Sequence, residues 1–87
     1  MDARAVISWN VRRLRVARGL AQEALAIDAQ IDRTYVSRVE RNMENPTVVV
    51  LERLAAALGV RIVDLFEEPK EGEAPPQTLP KGRRRAT

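Results

Sequence analysis

Apolar residues recur along this chain at helical spacing, and that spacing constrains its fold more than any other feature. Ile7, Val11 and Leu14 stand at i, i+4 and i+7, one stripe on a first helix that ends near Gly19, a natural C-terminal breaker. A second short helix spans residues 22–28, with Leu25 and Ala29 on one side. Asp32 is a good N-cap for a third over residues 33–41, whose inward positions are Val36 and Val39. Asn42 can take the left-handed conformation that closes it. Asn45, Pro46 and Thr47 make a turn and a cap, opening a fourth helix with Val48, Leu51, Leu54, Ala55 and Leu58 inward and Gly59 at its end. A fifth short helix over residues 62–67 offers Ile62, Leu65 and Phe66 to the core. The run Val48-Val49-Val50-Leu51 suits a buried strand by propensity. Its periodicity, however, continues into Leu54, Ala55 and Leu58, and no second strand-like segment exists to pair with it. The chain reads as all-α, with five helices.

At 87 residues it supports one small domain. Without Cys there is no disulfide framework, and without His the commonest metal ligand and general base is missing. The chain must fold by packing, and neither a metal nor a cofactor is expected. The carboxylates that remain form no convincing acid–base pair in a pocket, which argues against an enzyme. Residues 1–14 carry Arg4, Arg12 and Arg13 among their apolar residues, so they lack the unbroken run of a signal peptide or membrane span. A cytoplasmic protein with no membrane partner is expected. From Pro69 onward the composition changes to Pro, Glu, Gly and Lys, with Leu79 the only large apolar residue. The expected organisation is a folded domain over residues 1–68 and a disordered tail over residues 69–87.

Charge is distributed unevenly. Residues 1–41 hold eight Arg against five acids, a net +3, whereas residues 42–68 hold two Arg against five acids, a net −3. The tail adds Lys70, Lys81 and Arg83 to Arg85 against Glu71 and Glu73. A basic first half suits a polyanion, because each phosphate neutralised releases condensed counterions; a solvated surface with scattered charge is the plain alternative. Within residues 22–41 the spacing is more specific. Two helices crossing steeply through a tight turn need a small residue at their contact, apolar residues at a shared core and a polar outer face on the second helix. Ala26 supplies the first, and Leu25, Ala29, Ile31, Val36 and Val39 the second. Arg33, Thr34, Ser37 and Arg38 form the polar face.

Five blocks then stand in order: Gly19-Leu20-Ala21-Gln22-Glu23-Ala24-Leu25-Ala26, Tyr35-Val36-Ser37-Arg38-Val39-Glu40-Arg41, Pro46-Thr47, Leu54-Ala55-Ala56-Ala57-Leu58-Gly59-Val60 and Asp64-Leu65-Phe66. Over roughly residues 5–68 the chain resembles the Cro/repressor-type helix-turn-helix family, also called the XRE family. The resemblance implies a five-helix bundle of the lambda-repressor-like type, a homodimer, and double-stranded DNA as partner, read as an operator of two half-sites. Transcription regulation, most often repression, follows as the expected function. The DNA-binding antitoxin of a toxin pair, the controller of a restriction system and a protein-interaction adaptor are the alternatives on the same fold. Three positions depart from the family pattern. Gln30 stands where Gly is usual and must adopt positive φ at a cost of about 1 kcal/mol. Ala21 and Arg61 stand where capping residues are usual, each loss costing about 1 kcal/mol.

Arg33 and Arg38 are the candidates for base reading, since a guanidinium can donate two parallel bonds to guanine; either can equally hold a phosphate. Thr34 can meet a thymine methyl, and Ser37 a base or a phosphate. Arg41, at the end of that helix, is a further candidate for DNA contact. Gln22, at a helix N-terminus, resembles the glutamine that clamps the DNA backbone in this family, and Asn45 and Thr47 can hold a phosphate across the groove. Thr47 can also serve only as a cap. Glu40 is acidic on a helix meant to face DNA, which the family resolves by a salt bridge to the first helix; the matching partner is Arg15. Arg12, Arg13 and Arg18 are candidates for phosphate contact or for a solvated face. Tyr35 can pack half-buried or bond a phosphate, and Trp9 covers the bundle edge. For the dimer interface the candidates are Val60, Ile62, Val63 and Phe66, with Val49 and Val50 beside them. The tail cluster Lys81-Gly82-Arg83-Arg84-Arg85 either holds DNA without sequence preference or remains a solvated end.

Overall fold

The computed structural model describes residues 2–69, so the expected disordered tail and its basic cluster lie outside the described residues. Its elements are α1 (Ala3–Ala17), α2 (Gln22–Ala29), α3 (Arg33–Glu40), α4 (Val48–Leu58) and a 3-10 helix (Ile62–Phe66). No strand occurs among the described residues, and no helix among them is long and apolar enough to cross a membrane.

Local chemistry sets most of the boundaries. The Asp2 carboxylate accepts from the Ala5 N–H at 2.9 Å and opens α1. Asp32 accepts from Thr34 N–H at 2.8 Å, and Thr47 Oγ1 accepts from Val50 N–H at 3.1 Å. Each satisfies a donor that the first helical turn leaves unpaired. Ala21 begins α2 with no such bond. Gln30 ends α2 in the left-handed region (φ 60°), and Asn42 follows α3 in the same conformation (φ 59°). Gly59 closes α4 at φ +73°, and a Cβ there would meet Arg18 Nη1 at 2.6 Å. The close approach exists because that guanidinium donates to the Leu58 carbonyl at 2.7 Å, capping α4 from across the bundle. Arg18 is thus engaged with the protein.

The core joins Ile7 and Val11 of α1, Leu25, Ala26 and Ala29 of α2, Val36 and Val39 of α3, Leu51, Leu54, Ala55 and Leu58 of α4, and Leu65 of the 3-10 helix. The 3-10 helix packs on α1 and α4, α2 packs on α3 and α4, and α1 packs on α3.

Several expectations need correction. The fifth element is a 3-10 helix ending at Phe66, so the described residues form four α-helices, not five. Asp64 N–H bonds the Arg61 carbonyl three residues back at 2.9 Å, and the Asp64 carboxylate accepts from the Arg61 N–H at 2.9 Å. That reciprocal pair tightens the turn and replaces the side-chain cap Arg61 cannot supply. Val48 is 65% exposed instead of inward, because the stripe through Leu51, Leu54, Ala55 and Leu58 turns the first residue of α4 outward. Phe66 is 44% exposed instead of inward, while Leu65 fills the core as expected. Val60 packs partly against the core. The third helix ends at Glu40, with Arg41 as its C-cap.

Gln30 offers a stability test. Gln30→Gly should stabilise the domain by about 1 kcal/mol, because glycine reaches positive φ without steric cost. In a domain of this size the thermal midpoint should rise by about 4–8 °C. A midpoint at or below wild type would show that the Gln30 side chain stabilises its own strained position.

Candidate nucleic-acid interface

Residues 30–32 form the tight turn between α2 and α3. Ala26 and Ala29 are almost fully buried beside Leu25, Val36 and Val39, which lets the two helices approach closely. With Val36 and Val39 buried, α3 leaves Arg33 and Thr34 exposed and Ser37 and Arg38 half-buried, and Arg41 is exposed just past its end.

These side chains are not equally free. The Nε of Arg38 donates to Glu44 Oε2 at 2.7 Å, and its Nη2 donates to the Met43 carbonyl at 3.1 Å. The Nε of Arg41 makes a long bond to the Ser37 carbonyl at 3.4 Å. Tyr35 is half-buried. Burial, and then the charge of Glu44, raise its hydroxyl pKa above the ordinary phenol value of 10.0.

Beneath this face lies a buried ion pair. Arg15 donates from Nε to Glu40 Oε2 at 2.6 Å and from Nη2 to Oε1 at 2.9 Å. Its Nη1 donates to the Leu20 carbonyl at 2.8 Å. The side chains are 2% and 3% exposed. Gln22, the first residue of α2, donates from Nε2 to Glu40 Oε1 at 3.1 Å. The structure thus brings Arg15, Glu40 and Gln22 together and turns the acid of α3 away from solvent. Asn45 and Thr47 are exposed at the entrance to α4, with the Thr47 oxygen serving its cap.

Besides the Arg18 cap on α4, three partnerships escaped sequence reasoning. Asn10 donates through Nδ2 to the carbonyls of Leu65 (2.9 Å) and Glu67 (2.7 Å), and its oxygen accepts from Arg13. Ser8 donates to the Glu40 carbonyl at 2.7 Å. Both belong to the buried face of α1, and a polar residue between Val6, Ile7 and Val11 was the available signal. The Arg38–Glu44 pair had no such signal, because it closes across the Asn42 turn.

Two short helices joined by a tight turn, the second presenting a polar and basic outer face, define a helix-turn-helix domain. The family model described as helix-turn-helix matches residues 11–65, and the chain belongs to that family, of the Cro/repressor (XRE) type. A hypothetical transcription factor of Neisseria meningitidis serogroup B is 47% identical over 70 residues, 80% of this chain and 66% of that protein. The crystal structure of such a factor from Neisseria aligns with a TM-score of 0.76, covering 78% of each chain. The restriction-modification controller protein C.AhdI of Aeromonas hydrophila aligns at 0.71 with 40% identity, over 72% of this chain and 96% of that one. The controller C.Esp1396I, solved as a tetramer with its natural 35 base-pair operator, aligns at 0.70 with 35% identity, over 76% of this chain and 87% of its own.

Proposed function

We propose that this chain is a sequence-specific transcription regulator that binds double-stranded DNA through α3, as a cytoplasmic homodimer on two half-sites about 34 Å apart. The observation that carries the reading is the outer face of α3, where Arg33, Thr34, Ser37 and Arg38 stand clear of the core beside Arg41. Two helix N-termini flank it in the sequence, at Gln22 and at Thr47 with Asn45 just before. Their unpaired N–H groups and dipoles favour phosphates on either side of a groove. A charged and hydrogen-bonding face suits DNA better than an adaptor role, which calls for apolar or acidic residues there. Repression by blocking polymerase is the proposed outcome. The likeness to C.AhdI and C.Esp1396I favours one alternative, the controller of a restriction system.

Selection of bound sequences from a random duplex pool tests the reading. Enrichment of a two-half-site motif supports it, and no enrichment even at low salt would favour the adaptor. On the selected site, Arg33→Ala and Arg38→Ala should each weaken binding by about 1–3 kcal/mol per lost bidentate contact, with the fold intact. Wild-type affinity in both variants would remove α3 as the reading element.

A further inference from the structure

We propose that Glu44 is a positioning residue for base reading: its carboxylate holds one edge of the Arg38 guanidinium, leaving the opposite pair of N–H groups for a base. The inference rests on the DNA-binding reading of α3. Arg38 is pinned at two atoms, Nε by Glu44 and Nη2 by the Met43 carbonyl. In a planar guanidinium Nε–H and one Nη2–H point to the same side, so bonds at these two atoms can both be made on the side-on edge. Nη1 makes no protein bond among the described residues, and the end-on pair, Nη1 with the second Nη2 hydrogen, has the geometry that matches O6 and N7 of guanine.

The loop is built to keep this arrangement. Asn42 at positive φ turns the chain back over the end of α3, so that Met43 N–H bonds the Arg38 carbonyl at 2.8 Å. Residue 43 therefore grips Arg38 by both backbone and side chain, and Glu44 follows at once. Glu44 is half-buried, and its side chain is less exposed than that of Arg38. Its charge also reaches Tyr35, on the same helix as Arg38, and adds to the upward shift that burial gives that hydroxyl.

Charge separates this role from plain phosphate attraction. One carboxylate against one guanidinium leaves the pair neutral, so Arg38 adds little to the pull of the basic half on the DNA backbone. What it offers is direction. A side chain already held in one geometry loses less freedom on binding, and it discriminates between bases because it cannot swing away to a phosphate.

The test compares wild type, Glu44→Ala and Glu44→Gln by pool selection and by equilibrium binding to the selected and a scrambled duplex across a salt series. Glu44→Ala should lower the ratio of specific to non-specific affinity by about tenfold, within the range of one bidentate base contact. Preference should relax at one base pair in each half-site. Non-specific affinity should rise, and its dependence on log salt should steepen by about 0.9, as for one more neutralised phosphate. Glu44→Gln, whose amide oxygen can still accept from Nε, should keep most of the base preference while sharing the steeper salt dependence. Should Glu44→Ala melt well below wild type, Glu44→Asp, too short to keep the contact, takes its place for the selectivity readout, its retained charge leaving the salt dependence near that of wild type. Unchanged selectivity in the variant that breaks the contact overturns the proposal, as does a specific affinity that rises with selectivity intact, which would make the pair autoinhibitory. Wild-type protein that enriches no sequence removes the DNA-binding reading itself, and this proposal with it.

Discussion

Glu40→Ala is expected to cost about 3–5 kcal/mol of folding stability, the usual result of removing one member of a buried ion pair. Small domains have only about 5–15 kcal/mol in total, so the variant should be partly unfolded at ordinary temperature. The physical reason is the state of Arg15 afterwards. Its guanidinium is enclosed between α1 and α3, and without Glu40 it keeps a single acceptor, the Leu20 carbonyl. Arg15→Met should also destabilise, but less, because Gln22 still donates to the Glu40 carboxylate. Arg15→Met with Glu40→Leu should recover much of the loss, since two apolar side chains carry no desolvation penalty. Urea midpoints for Arg15→Met, Glu40→Leu and the double variant, at constant slope, close the double-mutant cycle. A single-variant cost below about 1 kcal/mol with additive effects, as for an exposed pair, would contradict this burial. Glu40→Ala also frees Gln22, so the folded fraction should lose backbone affinity without a change in base preference.

What the sequence made legible was local. Asp32, Thr47 and Asn42 could be read as caps because a cap acts within three or four residues, and the structure places each where its side chain or φ demands. The left-handed Gln30 was legible in the same way, from the turn geometry the family pattern requires. Facing was harder where apolar residues ran unbroken. Val48, Val49 and Val50 give no alternation from which to choose, and the inward reading of Val48 fails. In the last element, Phe66 outranks Leu65 in bulk, yet position within the tighter 3-10 turn decides that Leu65 goes in. Partnerships across the bundle were legible only through the family likeness, as with Arg15 and Glu40. Asn10, whose two bonds tie the 3-10 helix to α1, lies 55 and 57 residues from its acceptors, beyond the reach of any spacing rule.

Val63→Glu is expected to convert the proposed dimer to monomer and to lower operator affinity by about 10²–10⁴-fold, the gain that linking two binding modules ordinarily confers. Two recognition helices must meet one face of the DNA, so the surface that joins the protomers has to lie between them and clear of the phosphates. The 3-10 helix meets that need: it packs on α1 and α4 and belongs to the acidic half of the domain. Val63 is 53% exposed and Phe66 44%, and the α4 residue Val49 is 55% exposed. Val60 and Ile62, half-buried, extend the apolar surface inward. Single exposed valines are ordinary, but exposed residues of this size on two packed elements of so small a domain favour a symmetric partner. A glutamate at position 63 would stand next to Asp64 and close in sequence to Glu67 and Glu68, adding like charge on both sides of a two-fold axis. The monomer should still fold, because an exposed substitution usually changes stability by less than about 0.5 kcal/mol. Its apparent thermal midpoint should nevertheless lose the concentration dependence that association gives the wild type. Base preference within each half-site should stay as it was, since α3 is untouched. Sedimentation and operator titration decide the matter, and a Val63→Glu protein that matches wild type in both would place the interface elsewhere.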